Sequence, residues 1–260
     1  MKKMAIFETS RTTGGTGGAR RASVEWRVAS APVPYETALA TMEERVAAIR
    51  DGTLPELVWL LEHPPLFTAG TSADESEMLN AGGLPVHRTG RGGRYTYHGP
   101  GQRVAYVMLD LKRGLSGGPG QGQGQGQGQP GDIRAHVCAL EDWMIATLAA
   151  FNVKGERRPG RIGIWVDLAA HGGAPGSEAK IGAIGVRVRR WVAYHGLALN
   201  VAPDLSNFRR IIPCGIREHG VTSLEALGIT ASLEEVDMVM RDTFPEIFGR
   251  PIAGEAADKT

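Results

Sequence analysis

Two side chains of this sequence carry the chemistry of a nucleophile and its activator. Cys214 stands between a proline and a glycine in Ile211-Ile212-Pro213-Cys214-Gly215-Ile216, a fixed bend on which a thiol can face a cleft. A free thiol is only a few per cent thiolate at neutral pH, so attack on an acyl carbon needs a neighbouring group that stabilises the anion or takes its proton. Lys180 is such a group. In a strand over 181–188 it shares its face with Ile184, Val186 and Val188, opposite Arg187 and Arg189. A lysine on an apolar face is costly unless it finds a partner or gives up its proton. Taken singly, each residue also has a plain structural reading: Cys214 as a small buried hydrophobe at a turn, Lys180 as a snorkelling strand end.

A third stretch has the composition of a binding wall. In Arg88 to Gln102, six of fifteen residues are glycine or proline and most others are cationic, aromatic or hydrogen-bonding. Such a segment lets backbone approach a ligand closely, and it equally describes two tight hairpin turns. Other signatures fail. Gly114-Leu115-Ser116-Gly117-Gly118 spells the hydrolase elbow but opens a Gly-Gln tract instead of a helix. The phosphate loop, H-E-x-x-H and paired C-x-x-C patterns are absent, and the 7 histidines lack ligand spacing, so no metal or cofactor is expected.

The elements that must position these residues can be read from periodicity. Val24 to Val28 alternates as a half-buried strand, and Ala38, Leu39, Met42, Val46 and Ile49 recur as a helix from Tyr35 to Asp51-Gly52. Leu57 to Leu61 is a buried strand that runs into Glu62-His63-Pro64-Pro65, and Val104 to Leu111 is another. An amphipathic helix is expected from Asp132 to about Phe151, with Ile133, Val137, Leu140, Met144, Ile145 and Leu148 inward and Cys138 lining the core. Strands follow at 162–168, 181–188 and 191–200. Then comes a helix from Ser232 to Met240, capped by Ser232 with Glu235 three residues on. Closely spaced strands favour hairpins, so the expected fold class is α/β with a mixed, largely antiparallel sheet flanked by helices.

At 260 residues, 42% hydrophobic and a net charge of +1, one domain is expected: a catalytic unit over 23–250. Residues 1–22 read as a disordered tail, 116–131 as a flexible Gly/Gln-rich insertion and 251–260 as a C-terminal tail. The charge balance argues against nucleic acid as a partner. No apolar run reaches a membrane span, Met-Lys-Lys does not open a secretory signal, and two cysteines form no disulfide framework, so the expected location is the cytoplasm.

Four segments in order resemble the lipoyl(octanoyl) transferases: Arg91 to Gln102, Lys180-Ile181-Gly182-Ala183-Ile184-Gly185, His195-Gly196-Leu197-Ala198-Leu199-Asn200, and Pro213-Cys214-Gly215-Ile216. The resemblance spans Val24 to Phe248 and takes in Glu62-His63-Pro64-Pro65 and Gly163-Ile164-Trp165-Val166. It implies the fold of biotin and lipoate protein ligases. It also implies octanoyl transfer from acyl carrier protein to a lysine of lipoyl domains, those of 2-oxoacid dehydrogenases and of the glycine cleavage H protein. By resemblance Cys214 is the nucleophile and Lys180 its partner. The acyl chain would be surrounded by Arg91, Gly92, Gly93, Arg94, Tyr95, Thr96, Tyr97 and His98, by Ala183, Ile184 and Gly185, and by Gly196, Leu197 and Ala198. Gly182 departs from the commoner alanine. An ATP-dependent lipoate or biotin ligase and a non-catalytic acyl-binding protein are the alternatives.

Overall fold

The structure, a computed structural model, describes residues 23–115, 130–212 and 220–254. Strand β1 (Glu25–Val28), helix α1 (Tyr35–Arg50) and strand β2 (Leu57–Leu61) come first, with β1 and β2 parallel neighbours joined through the helix. All five residues of β2 are buried because both faces of the strand are covered. Leu57, Trp59 and Leu61 meet Ala38, Met42, Val46 and Ile49 of α1. Val58 and Leu60 face the opposite layer.

Strands β3 (Leu66–Ala69), β4 (Val86–Arg88) and β5 (Tyr95–His98) make a small sheet in the order β4-β3-β5. Strand β6 (Gln102–Asp110) returns to the main sheet. Helix α2 (Ile133–Ala150) follows, then β7 (Glu156–Arg158), β8 (Arg161–Asp167), β9 (Glu178–Arg189), β10 (Val192–Asn200), β11 (Gly220–Val221) and helix α3 (Leu233–Phe248). Among the described residues the main sheet has the order β1-β2-β6-β10-β9-β8-β7, with β11 beside β9. Only the β1–β2 and β9–β11 pairings in it are parallel, so the mixed, largely antiparallel sheet expected from the sequence is present.

Helices α2 and α3 close the face opposite α1. Leu140, Met144 and Leu148 pack with Val236, Met240 and Phe244 over Val58, Leu60, Ala105 and Val107. The inward stripe of α2 differs from the expected one: His136, Leu140, Trp143, Met144, Thr147 and Leu148 are buried, whereas Ile133 is 43% exposed and Cys138 is exposed. Trp143 fixes this rotation, because its indole N–H donates to the Met240 carbonyl at 2.8 Å and its ring meets Phe244 and Phe248 edge-on. Helix α3 has the capping box of Ser232 and Glu235 but runs to Phe248, past the expected end at Met240. Phe244, Ile247 and Phe248 continue its apolar face, and Gly249, at φ +62, ends it. Packing continues past residue 250, where Ile252 is buried and Val24 N–H donates to the Pro251 carbonyl at 2.8 Å. Among the described residues no helix is long and apolar enough to cross a membrane.

Candidate active site

A cavity of about 480 Å³ lies where the glycine-rich segment before β5 meets β6, β9 and β10, within the usual range of small-molecule sites. Lys180 lines it and is only 6% exposed. Its direction is set by a β-bulge: the register shifts between Ile164↔Gly182 and Trp165↔Lys180, leaving Ile181 as the extra, fully buried residue. Uninterrupted alternation along β9, from which the inward lysine was expected, therefore stops short of Lys180. The lysine Nζ donates to the Ile162 carbonyl at 2.7 Å and lies 5.8 Å from the Trp165 ring centre.

Cys214, the expected nucleophile, lies outside the described residues. The residues on either side of its segment are placed. Ile212 N–H donates to the Glu77 carbonyl at 2.8 Å, and the Glu77 carboxylate pairs with Arg94 of the glycine-rich segment. On the far side, β11 runs parallel to β9 with Val221 opposite Lys180, and Thr222 N–H donates to the Lys180 carbonyl at 2.9 Å.

Of the other expected site residues, Arg91, Gly92, Gly93, Arg94, Tyr95, Thr96, His98, Ala183, Ile184, Gly185, Gly196, Leu197 and Ala198 all line the cavity. Tyr97 does not. It is buried in the small core beside the β3–β5 sheet, where its ring lies 5.6 Å from Phe67 and 5.4 Å from Phe208. The glycine-rich segment is laid on β9 by Gly92 N–H, which donates to the Val186 carbonyl at 2.9 Å. Arg91, buried, fastens it from behind by donating to the carbonyls of Thr68 (3.0 Å) and Arg94 (3.1 Å) and to the Thr68 hydroxyl (2.6 Å).

That hydroxyl starts a relay whose donors all run one way. Thr68 O–H donates to His98 Nε2 at 3.3 Å. Gln102 spends its amide N–H groups on the Tyr97 carbonyl (3.1 Å) and on Asn200 Oδ1 (3.0 Å), so its oxygen faces His98 and takes the Nδ1 hydrogen at 2.6 Å. Asn200 then donates to the Thr222 carbonyl at 2.9 Å. Burial, helped by the nearby charge of Arg91, holds the His98 pKa well below the ordinary histidine value. His98 is thus a neutral imidazole with both nitrogens engaged.

Of the histidines that looked scattered in the sequence, one meets His98 and another lines the cavity. His63 lies 5.6 Å from His98, ring to ring, and is buried between the Val33 carbonyl and the Tyr106 hydroxyl, each at 2.6 Å. A carbonyl only accepts, so His63 carries its hydrogen on Nδ1 and accepts from Tyr106 on Nε2. Burial lowers its pKa to about 4. His195 adopts φ +60 within β10, where the pairing to β6 skips from Ala193↔Leu109 to Gly196↔Tyr106. The left-handed turn brings its ring onto the same side as that of its neighbour Tyr194, 5.0 Å away and stacked, which a regular strand forbids. His195 lines the cavity with Nε2 buried and without a hydrogen-bond partner among the described residues, its pKa lowered to about 3 by burial. Thr68, Thr222, Tyr35, Tyr106 and His195 were missed as contributors. The legible signal was polar residues inside otherwise apolar runs, such as Thr68 in Leu66–Ala69.

Much of the lining is apolar, Val104, Val137, Ile184, Val186, Leu197 and Ala198 among it, while Ser72 and Arg161 add polar groups to the wall. A buried amine therefore stands at one wall of a cavity able to take an aliphatic chain, beside the anchor of the segment that carries Cys214. The family model described as the lipoyl protein ligase A/B catalytic domain matches residues 34–245. An octanoyltransferase of Paramagnetospirillum magneticum is 62% identical over 226 residues, covering 87% of this chain and 97% of that one. The octanoyltransferase of Dinoroseobacter shibae is 54% identical over 237 residues, covering 90% of this chain and 100% of that one. The fold resembles the bipartite lipoate protein ligase of Thermoplasma acidophilum, with a TM-score of 0.63 at 15% identity over 90% of this chain and 87% of that one. It also resembles lipoate-protein ligase A bound with ATP, with a TM-score of 0.61 at 14% identity over 89% and 88%. The family model over most of the chain and relatives at 54–62% identity show that this chain belongs to the lipoyl protein ligase A/B catalytic domain family.

Proposed function

We propose that the protein is an octanoyltransferase that moves an octanoyl group from acyl carrier protein to a lysine of lipoyl domains through a thioester on Cys214. The observation that carries this reading is the buried Lys180 at the wall of the apolar cavity, with the strand that follows the cysteine segment registered against it. Names of relatives at 54–62% identity over nearly their whole length support octanoyl as the group transferred.

In the first half-reaction the Cys214 thiolate attacks the carbonyl carbon of the donor thioester. The new C–S bond forms, the bond to the carrier sulfur breaks, and the carrier leaves as a thiol after taking a proton. In the second, the acceptor amine attacks the acyl-cysteine, the C–N bond forms, Cys214 sulfur leaves, and the amine loses a proton. Thioester exchange is nearly balanced and amide formation is downhill, so no nucleotide is consumed. Lys180 serves both steps from one place, first stabilising the thiolate and then relaying the amine's proton. Valine, isoleucine and leucine side chains of the cavity take the aliphatic tail without asking it for hydrogen bonds.

Transfer from octanoyl carrier protein to an apo lipoyl domain, run with and without ATP, tests this reading. Product without ATP is expected. Product only with free octanoate and ATP would instead make the chain a ligase, and tight octanoate binding without product would make it an acyl-binding protein.

A further inference from the structure

Lys180 crosses β8 at the one residue there that has no side chain to obstruct it. Gly163, buried in β8, has φ +110, and a Cβ built on it would fall 2.5 Å from Lys180 Cε, 2.9 Å from Nζ and 2.5 Å from the Gly182 carbonyl oxygen. The preceding residue supplies the acceptor: the Ile162 carbonyl takes a hydrogen from Nζ at 2.7 Å, while the Ile162 side chain is 60% exposed at the rim of the cavity. The Trp165 ring, 5.8 Å from Nζ, offers its face as a further wall. The bulge between Ile164 and Trp165 adjoins this kink.

We propose that Gly163 is the positioning residue for Lys180, its missing side chain and left-handed backbone together forming the slot that aims the amine; this rests on the role given to Lys180 above. A lysine has four rotatable side-chain bonds and a freely turning ammonium, so an aimed amine needs outside constraint. The stem is confined where the Cβ of residue 163 would be. One N–H is committed to the Ile162 carbonyl, which fixes where the other positions on Nζ point. An alanine at 163 cannot coexist with this pose, since one of its contacts is backbone and the positive φ strains any L-residue.

The test is a double-mutant cycle on the full chain, reading the pH profile of Cys214 alkylation by iodoacetamide beside kcat and KM. Lys180→Ala is expected to slow alkylation at pH 7 by about tenfold, and Gly163→Ala to slow it to a similar degree. Adding Gly163→Ala to Lys180→Ala should then change nothing further. Gly172→Ala is the control, for Gly172 has φ +84 but open space around its Cβ, and it should keep the unmodified profile. An unchanged profile in Lys180→Ala would overturn the role of the lysine itself. A shifted profile there with an unmodified one in folded Gly163→Ala, or additive losses in the double variant, would overturn the positioning role alone. Should Gly163→Ala fail to fold, a crystal structure of the unmodified chain decides: Nζ within hydrogen-bond distance of the Ile162 carbonyl over a positive-φ Gly163 supports the slot, and Nζ turned away contradicts it.

Discussion

Val221 stands opposite Lys180 in the parallel register of β11 and β9, and the next amide, Thr222 N–H, donates to the Lys180 carbonyl at 2.9 Å. The residues that follow the cysteine segment are thereby tied to the strand carrying the lysine. The same threonine receives the last bond of the relay that begins at Arg91, so the glycine-rich wall and the anchor of the cysteine segment are one hydrogen-bonded unit.

Breaking that relay at Asn200 should therefore be costly. Asn200→Asp keeps an acceptor for Gln102 but offers no N–H to the Thr222 carbonyl and sets a buried charge against it. A loss on the order of 3 kcal/mol is expected in urea unfolding at pH 7, with slower alkylation of Cys214. Wild-type stability in this variant would mean that the relay is not closed.

Two glycines of β9 should respond differently to the same added methyl. A Cβ at Gly182 would meet the thioether of Met144, a flexible group that must swing aside, and would lie 3.3 Å from the Ala198 carbonyl oxygen, whereas one at Gly185 would meet the Gly92 carbonyl oxygen at 2.9 Å and Arg91 Cδ at 3.0 Å. Gly182→Ala should change KM for the acyl donor by less than about twofold. Gly185→Ala pushes the glycine-rich wall off β9 and should raise that KM by about tenfold. Steady-state kinetics on the two variants compares them directly.

Acid should unfold the protein by charging its buried histidines. His136 is fully buried between α2 and α3, near Phe248, with neither ring nitrogen bonded among the described residues and its pKa lowered to about 4 by burial. The unfolded chain takes up this proton below about pH 6.5 while the folded chain does not until about 4, so stability falls as pH drops through that window. His136→Leu should lose about 2 kcal/mol less than the parent between pH 7 and 5. Parallel pH dependences in urea titrations would show that His136 does not titrate on unfolding.

The sequence made much of this legible because local signals and tertiary packing agree. The unbroken apolar run of β2 is covered on both faces, and Ser232 with Glu235 caps α3 in place. The binding segments were readable as motifs, and all of their expected residues but Tyr97 line one cavity. What escaped depends on departures from regular backbone. The β9 bulge breaks the alternation that aims Lys180, and φ +60 at His195 places two successive rings on one side. Ile133 and Cys138 were assigned inward from hydrophobicity alone, while Trp143 and its bond to Met240 rotate the helix. Thr68 stands out as a polar residue in an apolar run, but its partners and those of Thr222 are distant in sequence, and no local pattern names them.

The most direct test of the central claim is the intact mass of the protein after incubation with octanoyl carrier protein and no acceptor. One octanoyl adduct is expected, removed by hydroxylamine, mapped to Cys214, and lost as a thioester in Cys214→Ser. Transfer to an apo lipoyl domain without any such adduct, or a thioester that persists in Cys214→Ser, would contradict it.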